Sequence, residues 1–385
     1  MGVLRYIFAY KKLVIIIFLL LMSTLLVVKM LEIVSFPITK LTPKRAAQHS
    51  NMSSTGDAAQ AVASVGNSGN TAVAAGTIEI ALIFRHGSEK ETLQHNFQEC
   101  IQSVLQYTSS PLRIHVVTDA ASYAVATKLV QNIFKANDWH DKPLKMLHVP
   151  TEGVELLSEG AGSAMVGVLQ EFFTSRRNSY YRDPLFFFSL FLHNILPTLT
   201  QVILMDVDVR VVDDIADLHS HFSKFQPHHV IGMSQELAPT YRHVLSAYRI
   251  NHPTTTLGSP PDEGGFPGYN SGVMLVNIPA LNSSTIIASY LERKLLEERC
   301  NYYSFRGNLG DQDLYTLIAF DHPYLFYTLP CTWNRQLCQW WRNRGYSLVF
   351  DHYFNCPGKV SLYHGNCKST IPELPGPVSA NKVLQ

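Results

Sequence analysis

The segment Gln201-Val-Ile-Leu-Met-Asp-Val-Asp208 constrains the fold of this chain more than any other stretch. Val202 to Met205 is an unbroken apolar run, short and flanked by polar residues, which reads as a strand buried on both faces of an α/β sheet. Ligands of such sheets collect beyond the carboxyl ends of the strands. There the run meets two carboxylates, Asp206 and Asp208. Residues two apart on an extended chain point to the same side, so both offer oxygens in one direction. Paired hard oxygens suit Mg²⁺ or Mn²⁺, and such an ion suits a diphosphate. An acid after a strand also serves as a helix cap or a solvated turn residue, so the spacing alone does not decide between these roles.

The 385 residues carry a net charge of +1, which gives no electrostatic case for nucleic acid as a partner. At 46% apolar and 11% aromatic the chain has material for a substantial core. That core does not extend to the N-terminus. Leu13 to Val28 is apolar apart from Ser23 and Thr24, with Arg5, Lys11 and Lys12 before it and Lys29 after it. At about 1.5 Å per residue the run spans roughly 24 Å, and lysines that snorkel at either end extend its reach toward a thin bilayer. A cleaved signal peptide is the competing reading, but the bulky Val27-Val28-Lys29-Met30-Leu31 supplies no small-residue cleavage site. We expect a cytosolic tail at 1–12, a signal-anchor at 13–34 and a luminal remainder, as basic residues on the N-terminal side dictate. The bilayer of the endoplasmic reticulum is one such thinner membrane. Residues 35–77, rich in Ala, Ser, Asn, Thr and Gly without periodicity, read as a flexible stalk. Asn51-Met-Ser53 and Asn282-Ser-Ser284 are glycosylation sequons if the remainder is luminal.

From residue 78 strands and helices alternate. Ile78 to Phe84 reads as a strand, Glu91 to Tyr107 as an amphipathic helix, Leu112 to Val117 as a strand, Ala121 to Ala136 as a helix and Leu144 to Val149 as a third strand. The alternation argues a largely parallel sheet covered on both faces. Asp183-Pro184 is an N-cap with proline at the first helical position, opening a buried, Phe-rich helix to Ile195. After the acidic strand, His229 to Met233 and Val273 to Asn277 read as further strands. Gly268-Tyr-Asn-Ser-Gly272 reads as a polar turn entering the latter. Asp311 and Asp313 open a helix whose dipole favours them.

Cys331, Cys338, Cys356 and Cys367 crowd the C-terminal end, which in an oxidising lumen reads as a disulfide framework. Zinc is the alternative, although the spacings lack the close C-x₂₋₄-C pair of most zinc sites. Three pairings are open. Our expectation is Cys331–Cys356 with Cys338–Cys367, which would clamp the tail to the body. His364-Gly365-Asn366 sits inside that clamp.

Asp206-Val-Asp208, Asn270-Ser-Gly272, Gly310-Asp-Gln-Asp313 and His364-Gly365 together resemble the retaining GT-A glycosyltransferases related to glycogenin and bacterial galactosyltransferases. The resemblance spans about 78–374, leaving 375–385 as a flexible tail. Tyr241-Arg-His243, Pro267 to Met274, Phe305-Arg-Gly307, Cys331 to Trp341 and Tyr363 to Cys367 narrow it to animal xylosyltransferases of the endoplasmic reticulum. Those enzymes add a terminal α1,3-xylose to the xylose–glucose disaccharide on EGF repeats of Notch-type receptors. The resemblance implies a GT-A fold and the donor UDP-xylose. It also implies a single-pass type II membrane protein and Mn²⁺ held by Asp206, Asp208 and His364, with Mg²⁺ as a substitute. It assigns Ile83, Phe84, Arg85, Val207, Asn270, Gln312 and Asn366 to the donor, with Gln312 at the reacting sugar. Arg242, His243, Val244, Leu245 and Trp341 fall to the acceptor. A homodimer is compatible with it. The chain departs from many relatives after His-Gly, where Asn366-Cys367-Lys368 displaces the usual lysine; Asn366 is the expected replacement at the phosphate. Two other functions fit the same residues: a UDP-glucose or UDP-galactose transferase, and a catalytically silent luminal lectin or chaperone for EGF modules.

Overall fold

A computed structural model describes residues 76–151, 161–174 and 182–373. The expected anchor, the stalk up to 75, the sequon at Asn51 and the tail 375–385 lie outside them. Among the described residues no helix is long and apolar enough to cross a membrane.

A seven-stranded sheet forms the centre: β1 (Ile78–Ile83), β2 (Leu112–Thr118), β3 (Leu144–Pro150), β4 (Gln201–Met205), β6 (Ile231–Gln235), β7 (Tyr269–Asn277) and β8 (Phe326–Leu329), in the order β3-β2-β1-β4-β7-β6-β8. The pairs β3–β2, β2–β1, β1–β4 and β6–β8 are parallel, and β7 runs antiparallel to both its neighbours. The mostly parallel α/β sheet expected from the alternation is therefore present. In β4, Val202 and Leu204 enter one apolar layer while Ile203 and Met205 enter the other, all of them buried. This is why the run has no polar interruption: both faces are covered. Helices Glu91–Tyr107 and Ala120–Asn137 supply Phe97, Ile101, Val104, Val130 and Ile133 to one layer. Helices Ala161–Phe173 and Asp311–Asp321 supply Leu169, Phe173, Leu314 and Leu317 to the other. Each such buried side chain contributes roughly 1.5–3 kcal/mol.

Two readings are corrected. The Phe-rich segment is not one α-helix. Asp183 caps it as expected, accepting from the Leu185 N–H, but Pro184–Phe191 winds as a 3₁₀ helix and only Leu192–Ile195 makes an α turn. Its side chains are buried almost all round, and packing outweighs the better hydrogen-bond geometry of the α form. Gly268–Gly272 is likewise no simple entrance turn. Tyr269 already belongs to β7, and the β6–β7 register slips between Met233 and Ser234, so that Met233 faces Met274 and Ser234 faces Asn270. The slip leaves Ser271, Gly272 and Val273 out of that ladder, as irregular strands beside binding sites do.

A second, three-stranded sheet was not visible in the sequence: β5 (Val209–Val211), β10 (Leu362–His364) and β9 (Arg335–Gln336), in the order β5-β10-β9. It is too short to announce itself by periodicity, yet it carries the tail across the mouth of β4. The disulfides that hold it are Cys331–Cys356 and Cys338–Cys367, the expected pairing. Cys100 and Cys300 are free and buried. Asn282 lies exposed on the helix Ile278–Ser283.

Candidate active site

β1 and β4 are neighbours whose chain connections leave in opposite directions across the sheet, so the crevice at their carboxyl ends is a topological switch point. Asp206 follows the last residue of β4, and its N–H donates to the Gly272 carbonyl on β7 (2.9 Å). Asp208 immediately precedes β5. Because β10 pairs antiparallel with β5, His364 stands opposite Val209, and the Gly365 N–H donates to the Asp208 carbonyl (2.8 Å). The small sheet thus sets the imidazole against the acidic pair. Its Nε2 lies 3.5 Å from Asp206 Oδ2 and 3.5 Å from Asp208 Oδ1. Gly272 makes the slot: a Cβ there would meet the His364 ring at 2.1 Å.

Asn334 fixes which ring nitrogen faces the acids. Its Nδ2 donates to Asn270 Oδ1 (2.9 Å), so its Oδ1 is the atom that His364 Nδ1 reaches at 2.9 Å. Nδ1 therefore carries a hydrogen and Nε2 points at the carboxylates. A second partner that orients a ligating histidine is the usual arrangement around a metal. Among the described residues, Asp206, Asp208 and His364 are the group whose ligand atoms, all within 4.8 Å of one another, can hold an ion. With no ion beside them, burial would lower the imidazole, but both carboxylates overcome this and hold it up at about 10. Asp208 is half-buried, which raises its carboxyl, yet the imidazole pulls it below the ordinary range. Two carboxylates with one imidazole locked in the ligating tautomer fit a divalent cation of the Mn²⁺ type better than Mg²⁺, which prefers oxygen alone.

A cleft of about 2360 Å³ opens over this group. Of the expected donor residues, Ile83, Arg85, Val207, Asn270, Gln312 and Asn366 line it. Arg85 is held there by Asp183, Nη1 to Oδ2 2.8 Å. Asn366 spends its Oδ1 on the Leu337 and Cys338 N–H groups (3.0 and 2.9 Å), so its amide hydrogens are what it can offer a phosphate. Lys368 lines the same wall in the left-handed region, φ 61°. Phe84 is a correction. Strand alternation sends its ring to the opposite side from Ile83, into the core at 4.4 Å from Phe97, and it takes no part in the cleft wall.

At the acceptor end, His243, Val244 and Trp341 line the cleft, joined by Trp340 and Arg344. Trp340 and Trp341 meet edge to face at 4.6 Å, His243 is 4.7 Å from Trp341, and the Arg344 guanidinium covers Trp340 at 3.9 Å. Flat aromatic faces rimmed by donors suit the apolar face and hydroxyls of a sugar. Arg242 and Leu245 are corrections. They occupy other faces of the short helix Thr240–Val244 and its C-cap: Leu245 is wholly buried, and the Arg242 side chain turns to the Tyr353 hydroxyl.

Asp311 and Asp313 are both pushed up to about 7, chiefly by burial. Asp311 lines the cleft and accepts from the hydroxyls of Ser189 and Ser271. Asp313 takes the Leu309 N–H (2.6 Å) and the Tyr241 hydroxyl (3.0 Å) in a space that exists because residue 307 is glycine. It ties down the loop before the helix. Two residues of the site escaped the sequence reading, Asn334 and Glu236. Glu236 ends β6 much as Asp206 ends β4, a signal that was available; nothing marks Asn334 within Cys331–Cys338.

The comparisons agree with this geometry. Residues 96–350 match the model of "Glycosyl transferase family 8". The chain is 37% identical over 306 residues to xyloside xylosyltransferase 1 of mouse and, equally, of human, covering 76% of this chain and 74% of each relative. The crystal structure of the mouse protein in its apo form superposes with a TM-score of 0.70 at 36% identity, covering 77% of this chain and 100% of that one. A switch-point crevice, an Asp-x-Asp pair completed by a histidine and these likenesses lead to one conclusion: the chain is a glycosyltransferase belonging to glycosyl transferase family 8.

Proposed function

We propose that this enzyme moves xylose from UDP-xylose, with retention, to the terminal xylose of a xylose–glucose disaccharide on EGF repeats of Notch-type receptors, forming an α1,3 linkage. The reading further places it in the endoplasmic reticulum as a type II membrane protein using Mn²⁺. The convergence of Asp206, Asp208 and His364 Nε2 beneath the cleft is the observation that carries the transfer chemistry. The name borne by the 37%-identical relatives supports xylose as the sugar. The two disulfides support an oxidising compartment.

Asp206, Asp208 and His364 would hold the cation, which when bound neutralises the diphosphate as it departs. Asn270 and Gln312 would hold the xylose, and Ile83, Arg85 and Val207 the nucleotide. The bond from C1 to the diphosphate oxygen breaks and a bond from C1 to O3 of the acceptor xylose forms on the same face. The departing phosphate takes the hydroxyl proton. No side chain is needed as general base, which suits a site where Asp311 and Asp313 are committed to Ser189, Ser271, Tyr241 and Leu309. Gln312 is neutral and orients rather than attacks; its Oε1 accepts from the Ser271 N–H (3.2 Å). His243, Val244 and Trp341 would receive the acceptor.

Incubating an EGF repeat bearing xylose–glucose with UDP-xylose and Mn²⁺, followed by mass spectrometry, tests donor, acceptor and reaction class together. A gain of one pentose is expected. Transfer of a hexose from UDP-glucose or UDP-galactose in preference would replace the donor assignment, and transfer of nothing would favour a binding protein.

A further inference from the structure

Glu236 is a buried carboxylate for which the transfer chemistry above has no use. It follows β6, its N–H donates to the Gly268 carbonyl (2.9 Å), and it lines the cleft. One of its oxygens, Oε2, accepts from the amide of Asn270 (Nδ2, 3.0 Å) and from the amide of Gln312 (Nε2, 3.3 Å). The carboxylate also takes a hydrogen bond from the Ala238 backbone. Burial pushes its pKa up to about 7, against the pull of these donors.

An amide can flip, and a flip exchanges donor for acceptor at the substrate. An ionised carboxylate only accepts, so it favours both NH₂ groups facing it, and on Gln312 it acts together with the Tyr241 hydroxyl, which accepts from the same Nε2 (3.2 Å). The carbonyl ends are thereby fixed as well. Asn270 Oδ1 receives the Gly272 N–H (3.1 Å) and Asn334 Nδ2, while Gln312 Oε1 receives the Ser271 N–H. Through Asn334 the same chain reaches His364. Burying a carboxylate costs several kcal/mol unless something specific is gained. Here the gain is one orientation for two amides that sit on different elements, β7 and the helix Asp311–Asp321.

We infer that Glu236 is a positioning residue: its carboxylate sets the rotamer and the O/N sense of Asn270 and Gln312, so that both present fixed groups to the donor sugar. This rests on the proposed roles of Asn270 and Gln312. It predicts a separation of effects. Asp206, Asp208, His364 and Arg85, which would hold the cation and nucleotide, make no hydrogen bond to Glu236, and Asn334 keeps its own bond to His364 Nδ1, so loss of Glu236 should leave UDP affinity nearly unchanged. The sugar should lose its alignment, and misplacement of reacting groups by about 1 Å costs on the order of 100-fold.

The test uses Glu236→Leu, which removes both carboxylate oxygens at similar volume and leaves Gln312 only the Tyr241 hydroxyl, and Glu236→Gln, which keeps one oxygen for the amides. For each, kcat and KM for transfer, the Kd for UDP in Mn²⁺ by calorimetry, and the melting temperature are measured. Expected for E236L is a fall in kcat of about 100-fold with the Kd for UDP within about threefold of wild type. E236Q should recover to within about tenfold of wild type, since one carbonyl can still receive both NH₂ groups. Should E236L fail to fold, E236Q alone decides, with a several-fold loss in kcat at unchanged UDP affinity expected. Wild-type kcat in a folded E236L or E236Q, or a loss of UDP affinity in step with kcat, overturns the inference. Absence of transfer by the wild type would instead remove the reaction assigned above, while the UDP measurement still reports on the site.

Discussion

The two carboxylates and the imidazole of the candidate metal site come from regions held together by different physics. Asp206 and Asp208 stand at the end of β4, a strand buried in both apolar layers and flanked by β1 and β7. His364 stands in a three-residue strand of a three-stranded sheet held by crosslinks. Just after it, Cys367 and Lys368 both adopt left-handed backbone, at φ 58° and 61°, which costs non-glycine residues roughly 1–2 kcal/mol each. Asp206 is placed by the core that the whole domain shares, the imidazole by a local clamp, and Asp208 joins the two, leading into β5 and accepting from the Gly365 N–H. Damage to the clamp should therefore remove metal binding while the domain survives.

The largest effect expected is from Asp208→Asn. It exchanges a ligand oxygen for an amide with little change in packing, so transfer should fall by at least about 10³-fold while the melting temperature of the metal-free protein stays within a few degrees. Measurable transfer near wild type would break the comparison at its acidic side. Next comes Gly272→Ala. Its methyl would lie 2.1 Å from the His364 ring, and the imidazole must move; Mn²⁺ affinity and transfer should drop by about 100-fold. The two disulfides then separate clamp from body. Each closes a loop of similar size, with sequence separations of 25 and 29, so removing either should cost about 3 kcal/mol of stability. Only Cys338–Cys367 lies on the cleft wall, three residues from His364. The pair Cys338→Ser with Cys367→Ser should weaken Mn²⁺ binding more than Cys331→Ser with Cys356→Ser, by calorimetry on folded protein. Equal losses would mean that the tail is held as one piece.

The smallest effect is in pH. In the metal-free protein burial opposes protonation of His364, but Asp206 and Asp208 prevail and hold it at about 10, above the ordinary histidine value near 6.5. That proton stabilises the metal-free fold fully below pH 6.5, and the contribution is lost as pH rises through 10. The ion has to displace it. Between pH 6.5 and 8 the apparent Mn²⁺ affinity should therefore rise by about tenfold per pH unit, read as a growing thermal shift on adding Mn²⁺. A flat profile would show that His364 carries no proton to lose.

What could be read from the residues follows the same division. β4 was legible because a buried strand needs uninterrupted apolar residues and ends where the acids begin. The tail was legible only as four cysteines and a histidine. Neither the short sheet nor Asn334 leaves a periodic trace, because pairings of two or three residues depend on what lies across from them. The resemblance assigns Phe84, Arg242 and Leu245 to the cleft by their positions in matching motifs. A strand or helix sends adjacent residues to different faces, and the fold placed them elsewhere. Glu236 was passed over although it follows the pattern of Asp206, since its significance lies in two amides from distant segments.

The account turns on one ion being shared between these regions. Anomalous diffraction at the manganese edge, from crystals soaked with Mn²⁺ and UDP, tests it directly. A single peak within about 2.0–2.3 Å of Asp206, Asp208 and His364 Nε2 is expected. A peak elsewhere, or one that Asp206 and Asp208 hold while His364 stays out of reach, would contradict it.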